Sequence, residues 1–193
     1  VSAAPLRKPI DRAAAVRSAL RTLVARHGFH GASMSAVAAE AGVATGTAYV
    51  HYASKDDLVY ATYLEVKQHL GAAAISRVDA RASAERRFEQ LWRGVHRHLS
   101  SDPDRARFLL QVETSPYART AHRMVLESGE DAIMREATRP DLMAQLAPLP
   151  LEILYDLGIG PAVRLAATAP AQTLDEDALG RLAAACWRAI TRE

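Results

Sequence analysis

One stretch limits what this chain can fold into more than any other. It runs from Ser33 to Leu58 and reads SMSAVAAEAGVATGTAYVHYASKDDL. The spacing predicts two short helices joined by a tight turn, followed by the start of a third. Ser33 is placed to cap a helix from Met34 to about Ala41, because a serine oxygen there accepts from the free amides of the first turn. Val37, Ala38 and Ala41 form a narrow apolar stripe at helical spacing. Ala38 is small, which lets a second helix cross closely. Gly42 ends the helix, since the residue after a C-cap is commonly left-handed and glycine takes that conformation without steric cost. Val43 is expected to follow as a buried anchor, and a second helix to run from Ala44 or Thr45 to Tyr52. Ser54 and Asp57 then have the spacing of a capping box, with Asp56 and Asp57 at the positive end of the helix dipole.

The second helix has the chemistry of a DNA reader. Thr45, Gly46 and Thr47 are short, so the backbone can approach base edges in a groove. Tyr49, His51 and Tyr52 follow and can reach phosphates, as can Ser33, Ser35 and Lys55. Charge agrees with this. Residues 1–55 hold seven Lys/Arg against two Asp/Glu, and the rest of the chain seventeen against twenty. A basic head on a slightly acidic body suits a protein that binds nucleic acid with one end.

Gly28-Phe29, Val37-Ala38, Ala41-Gly42-Val43, Gly46-Thr47, Tyr49 and Ser54-Lys55 with Leu58 together resemble, without a gap, the DNA-binding domain of TetR-family transcriptional regulators. The close resemblance covers about residues 11 to 60; beyond that it extends to helix count and total length. Several positions depart from the usual family pattern. Ala44 stands where a hydroxyl residue is common, Thr45 where a basic or longer polar residue is common, Ala48 for a larger aliphatic, and Ala53 for a frequent proline. The recognition helix therefore carries no Lys or Arg, the residues that most often read guanine. Ala44 and the Thr45 and Thr47 methyl groups are left to meet thymine methyls.

Composition bounds the remainder. Of 193 residues 49% are hydrophobic, enough for a substantial core. Alanine and leucine dominate and strand-type runs are absent, so the chain reads as all-α: an N-terminal three-helix helix-turn-helix domain and a C-terminal helical domain for ligand binding and dimerisation. The expected divisions are a flexible basic arm over 1–10, in which Arg7 and Lys8 can reach DNA, a head over 11–57, and a body over 58–193. No apolar run is long enough to span a membrane. No apolar segment follows Arg7 and Lys8 to make a secretory leader, and the lone Cys186 fits a reducing cytoplasm.

Asp11 is expected to cap a first helix ending at His27, with Val16, Leu20, Leu23 and Val24 inward and Arg12, Arg17 and Arg21 outward. The helix from Ser54 should reach the 70s. A strongly periodic helix spans about Ala84 to Leu99, Asp102-Pro103 opens the next, and Ser115-Pro116 closes it. One helix is then expected from about Tyr117 to Thr138, and a short turn around Leu142 to Leu146. Leu151 to Thr168 reads as a helix kinked at Gly158, Gly160 and Pro161. Thr173 and Glu176 have capping-box spacing for the last helix.

The resemblance implies that the last two helices pair with a second subunit, which points to Leu154, Leu157, Gly158, Leu165, Leu179, Leu182, Ala183, Cys186, Trp187 and Ile190. The competing reading is that these faces finish the protomer's own core. The resemblance also implies an inducer pocket among the middle helices, with candidates Trp92, His96, Phe108, Val112, Tyr117, Met124, Met134 and Tyr155. Glu113 would neutralise a cationic ligand if buried. His96, His98 and His122 lack the spacing of a metal site, no cofactor is implied, and no nucleophile elbow, phosphate loop or HExxH supports an enzyme. The expectation is a homodimeric, cytoplasmic repressor, released from double-stranded operator DNA by a small apolar or amphipathic inducer. The alternative is an all-α small-molecule binding protein without sequence-specific DNA binding.

Overall fold

The computed structural model describes residues 11–168 and 174–192. The basic arm with Arg7 and Lys8, and Thr173 of the expected capping box, lie outside these residues. Twelve helices are described, with a 3-10 turn at Phe29–Gly31 and one isolated bridge between Leu146 and Thr191. The described residues fall into two compact units, divided between Thr62 and Tyr63.

The first unit is built from α1 (Arg12–His27), α2 (Met34–Glu40) and α3 (Thr45–His51), and takes in the start of α4 (Lys55–Ile75). The caps are those the sequence predicts. Asp11 accepts from the Ala14 amide at 3.1 Å, and Ser33 from the Ala36 amide at 3.2 Å. Gly42, at φ +67°, ends α2 with the Gly42 N–H on the Ala39 carbonyl and the Val43 N–H on the Ala38 carbonyl. These two bonds satisfy helix-end carbonyls that would otherwise be orphaned. Val43 itself is only half-buried, not the buried anchor expected. Val16, Leu20, Val24, Val37, Ala38 and Ala48 are almost fully enclosed and form the unit's centre.

The second unit packs around α5 (Ala84–Ser100), which touches α6 (Pro103–Glu113), α9 (Pro140–Met143), α11 (Gly160–Thr168) and α12 (Glu176–Ile190). Phe88, Leu91, Trp92, Val95 and Leu99 are the buried stripe of α5. Phe88 meets Trp187 with ring centroids 5.4 Å apart. Gly94 allows α4 and α5 to touch backbone to backbone: a Cβ there would lie 2.5 Å from the Ala74 carbonyl oxygen.

Three expectations are corrected. The single helix from Tyr117 to Thr138 is two helices, α7 (Ala118–Ser128) and α8 (Ala132–Ala137). Gly129 turns left-handed at φ +63°, and Asp131 caps α8 by accepting from the Ile133 and Met134 amides. The turn expected around Leu142 to Leu146 begins earlier, as Pro140 opens α9 at a position needing no amide. The last helix starts at Glu176 on an Asp175 cap, which accepts from the Ala178 amide at 2.6 Å, rather than on Thr173. The kinked helix divides as anticipated into α10 (Leu151–Gly158) and α11, broken before Pro161.

Candidate nucleic-acid interface

In the head, α3 buries one residue, Ala48, against α1 and α2 and exposes nearly all the rest. Thr45 and Gly46 are exposed, Thr47 is half-buried, Tyr49 is 51% exposed and His51 is exposed. Val50, which sequence reasoning did not single out, is 82% exposed. Its signal was available, because it lies two residues from Ala48 and therefore near the opposite side of the helix. Asp11, Arg12, Ala44, Gly46, Thr47, Val50 and His51 line one concavity of about 710 Å³. It brings together the N-terminus of α1 and the exposed face of α3.

Ser33 and Ser35 are exposed at the start of α2, their hydroxyls 3.0 Å apart. Ser54 and Asp57 form the predicted box: the Asp57 amide donates to the Ser54 hydroxyl at 3.1 Å, which donates to the Asp57 carboxylate at 2.8 Å. Lys55 is half-buried, with its ammonium on the Phe29 carbonyl. Two residues are reassigned. Tyr52 is buried and does not face outward: its hydroxyl accepts from Arg17 at 2.6 Å and donates to the Ala13 carbonyl at 3.3 Å. Arg17 is accordingly half-buried and joins α1 to the residue that caps the C-terminal end of α3.

The second unit contains a different kind of site, a partly buried polar cluster. Tyr63 and Lys67 come from α4, Glu113 from α6, His122 from α7, Asp131 from the cap of α8, and Tyr155 from α10. Lys67 reaches the Asp131 carboxylate at 3.3 Å and lies 5.5 Å from the centre of the Tyr155 ring. His122 meets Glu113 at 2.9 Å, and the Tyr63 hydroxyl donates to Glu113 at 3.5 Å. Burial opposes the charge on Lys67, but the Tyr155 oxygen and the Asp131 carboxylate hold its pKa above the ordinary lysine value. Burial pushes the Tyr63 phenol far up, and Glu113 adds to that effect. The Tyr155 phenol is also raised, by burial. His122 is raised by its hydrogen bond to Glu113.

The inducer candidates scatter across this unit. Trp92, Phe108 and Val112 are fully buried core residues; Tyr117, Met124 and Met134 are half-buried. His96 stacks on Trp92 with centroids 5.9 Å apart and bonds the Ser100 hydroxyl at 3.2 Å. Burial lowers the pKa of both His96 and His98. Of the eight candidates, only Tyr155 joins the polar cluster. Among the described residues, no three His, Cys, Asp or Glu side chains are grouped to hold a metal ion.

Residues 16–62 match the family model described as bacterial regulatory proteins of the tetR family, and residues 84–191 match the one described as the tetracyclin repressor-like C-terminal domain. The chain belongs to the TetR family. It is 27% identical over 184 residues to an HTH-type transcriptional regulator of Haemophilus influenzae, covering 94% of this chain and 97% of the relative. The crystal structure of a TetR-family regulator from that organism superposes with a TM-score of 0.74, at the same identity and coverage. A TetR-family structure from Shewanella sp. PV-4 is 25% identical with a TM-score of 0.80, over 94% of this chain and 99% of its own.

This TetR-family chain is therefore a DNA-binding transcriptional regulator of a non-enzymatic class. No described helix is long and apolar enough to cross a membrane. Of its expected subunit-contact residues, Gly158, Leu179, Ala183, Cys186, Trp187 and Ile190 are buried within the protomer. Within the protomer α12 packs against α5 and α10. Burial raises the Cys186 thiol pKa, as suits packing rather than redox chemistry. Leu157 and Leu182 are about 40% exposed, and Leu154 and Leu165 are half-buried. Among the exposed residues of α12, Leu182, Ala185 and Ala189 form an apolar stripe at helical spacing, flanked by Arg181 and Arg188.

Proposed function

We propose that the protein is a homodimeric repressor whose hold on operator DNA is relaxed by a small ligand bound in the second unit. The observation that carries this reading is the course of α4. Its 21 residues begin at the Ser54–Asp57 box of the head and end beyond Tyr63 and Lys67 of the polar cluster. One helix therefore belongs to both sites, and a change in its position is felt by each.

Thr45, Gly46 and Thr47 would face base edges, with Ser33, Ser35, Tyr49, His51 and Lys55 on phosphates. Lys55 has donors to spare, since an ammonium carries three and the Phe29 carbonyl takes one. A seven-residue helix without Lys or Arg reads few bases, so two heads on successive major grooves are required, about one helical turn of DNA apart or a multiple of it. The outward stripe of α12, with Leu151, Ile153 and Leu157 of α10, supplies an apolar surface for a second copy. The ligand acts by binding one spacing of the heads better than the other, not by blocking the DNA face.

The test is binding of the full chain to labelled duplexes, followed by a screen for release. Lys55→Ala should weaken binding to all sequences and lower the salt slope by about one. Thr47→Val should alter base preference and leave that slope unchanged. A Lys55→Ala protein with unaltered non-specific affinity would remove Lys55 from the phosphate set. A small molecule that dissociates wild type but not a Tyr155→Phe or Lys67→Met protein would support the polar cluster as its site.

A further inference from the structure

The head carries an apolar side chain that its packing does not use. Val50 is 82% exposed, the highest value among the exposed large hydrophobic residues described. It lies on the helix that a TetR-family protein presents to the major groove, and it lines the same 710 Å³ concavity as Ala44 and Thr47. These three positions follow each other at three-residue spacing. They bring methyl groups to one side of the helix, which leaves a carbon surface where a reading helix normally carries hydrogen-bonding side chains.

The residues of α3 decide which base edge that surface fits. Guanine is read by Arg or Lys, adenine by Asn or Gln, and cytosine by Asp or Glu. The segment Thr45–His51 contains none of these six residue types. The major-groove edge that presents an apolar group is thymine, through its C5 methyl. We infer that Val50 is a specificity-determining residue of this regulator and packs, with Ala44 and Thr47, on thymine methyl groups in each operator half-site. Arg12 and His51, at the rim of the same concavity, are placed for the flanking phosphates. Asp11 also lines it, but its carboxylate accepts from the Ala14 amide at the N-terminus of α1. That end of the helix dipole offsets its charge toward a nearby phosphate.

The inference rests on the DNA-binding reading of the head, and the experiment separates the two. The full chain is used to select duplexes from a randomised pool. The selected site is then remade with each thymine in turn replaced by deoxyuridine, which removes the methyl group and nothing else. One or two replacements per half-site should weaken wild-type binding about three- to fivefold, the effect of one buried methyl-sized group. Val50→Ala should bind the thymine site more weakly by a similar factor and lose sensitivity to those same replacements. Its melting temperature should match that of wild type, because Val50 is 82% exposed among the described residues. Selection of a site that binds tightly but is indifferent to every deoxyuridine would overturn the role of Val50 and leave the DNA-binding reading intact. A pool that yields no enriched sequence would overturn both.

Discussion

The two units bury their chemistry in opposite ways. In the head, α3 encloses one side chain of seven and turns the others outward. In the second unit, α5 encloses eight of seventeen, and the Lys67–Asp131 ion pair lies beneath the surface. A surface reader needs only short helices, tight caps and small residues at crossings, all of which are local. A buried polar cluster needs groups delivered from five helices, and each must find a partner to offset its desolvation. The head should therefore tolerate substitution on its reading face without loss of fold, whereas the second unit should register substitution first as loss of stability.

The largest expected effect is in the body. Trp92→Ala, at a fully buried side chain, should cost about 3–5 kcal/mol in chemical denaturation. Val50→Ala, of similar apolar character, should change stability by less than about 0.5 kcal/mol. Comparable losses at the two positions would end the contrast. Next comes Gly94→Ala. The added Cβ meets the Ala74 backbone oxygen, so α4 and α5 must separate at a cost of about 1–3 kcal/mol. If Gly94→Ala also changed DNA affinity in folded protein, α4 would be sensed from both units, as the proposed repressor mechanism requires.

The smallest effect is one of pH. His122 has a folded pKa raised above its unfolded value, by the hydrogen bond to Glu113. Its contribution is fully present below the unfolded pKa of about 6.5 and is lost as pH rises through the higher folded pKa. His96 and His98 have folded pKa values lowered by burial, so they lose stability as pH falls below about 6.5. The two trends oppose each other, so the measurement is a difference: wild type minus His122→Gln, by denaturation across pH 5.5 to 8.5. It should be positive at the acid end and shrink toward zero at the alkaline end. Partial exposure of both His122 and Glu113 keeps it well under about 1 kcal/mol. A flat difference would remove the His122–Glu113 bond from the account.

The same contrast explains what the sequence made legible. The head was readable because its signals are local: Asp11, Ser33, Gly42 and Ser54-Asp57 each act within four residues. Where it misled, a distant partner had intervened. Tyr52 reads as a phosphate contact until Arg17 and the Ala13 carbonyl, 35 and 39 positions away, take its hydroxyl. In the body the helical period located α5 and α6, yet missed the break at Gly129–Asp131. A glycine and an aspartate in a periodic stretch do not announce that the aspartate both caps α8 and pairs with Lys67. Lys67 and Tyr63 gave no signal at all, since their partners lie about 50 to 90 positions away along the chain. The apolar face of α12 was correctly located, but period alone cannot say whether a face is covered by α5 or by another subunit.

The most direct test of the central claim is fluorescence anisotropy of the full chain on DNA from upstream of its own gene, against a scrambled duplex, across a salt series. Tight binding with preference for the native duplex is expected. Log affinity should fall linearly with log salt, by about 0.9 per phosphate neutralised. Absence of binding to either duplex at low salt would contradict that claim, and would leave the second unit's polar cluster as the functional centre of a small-molecule binding protein.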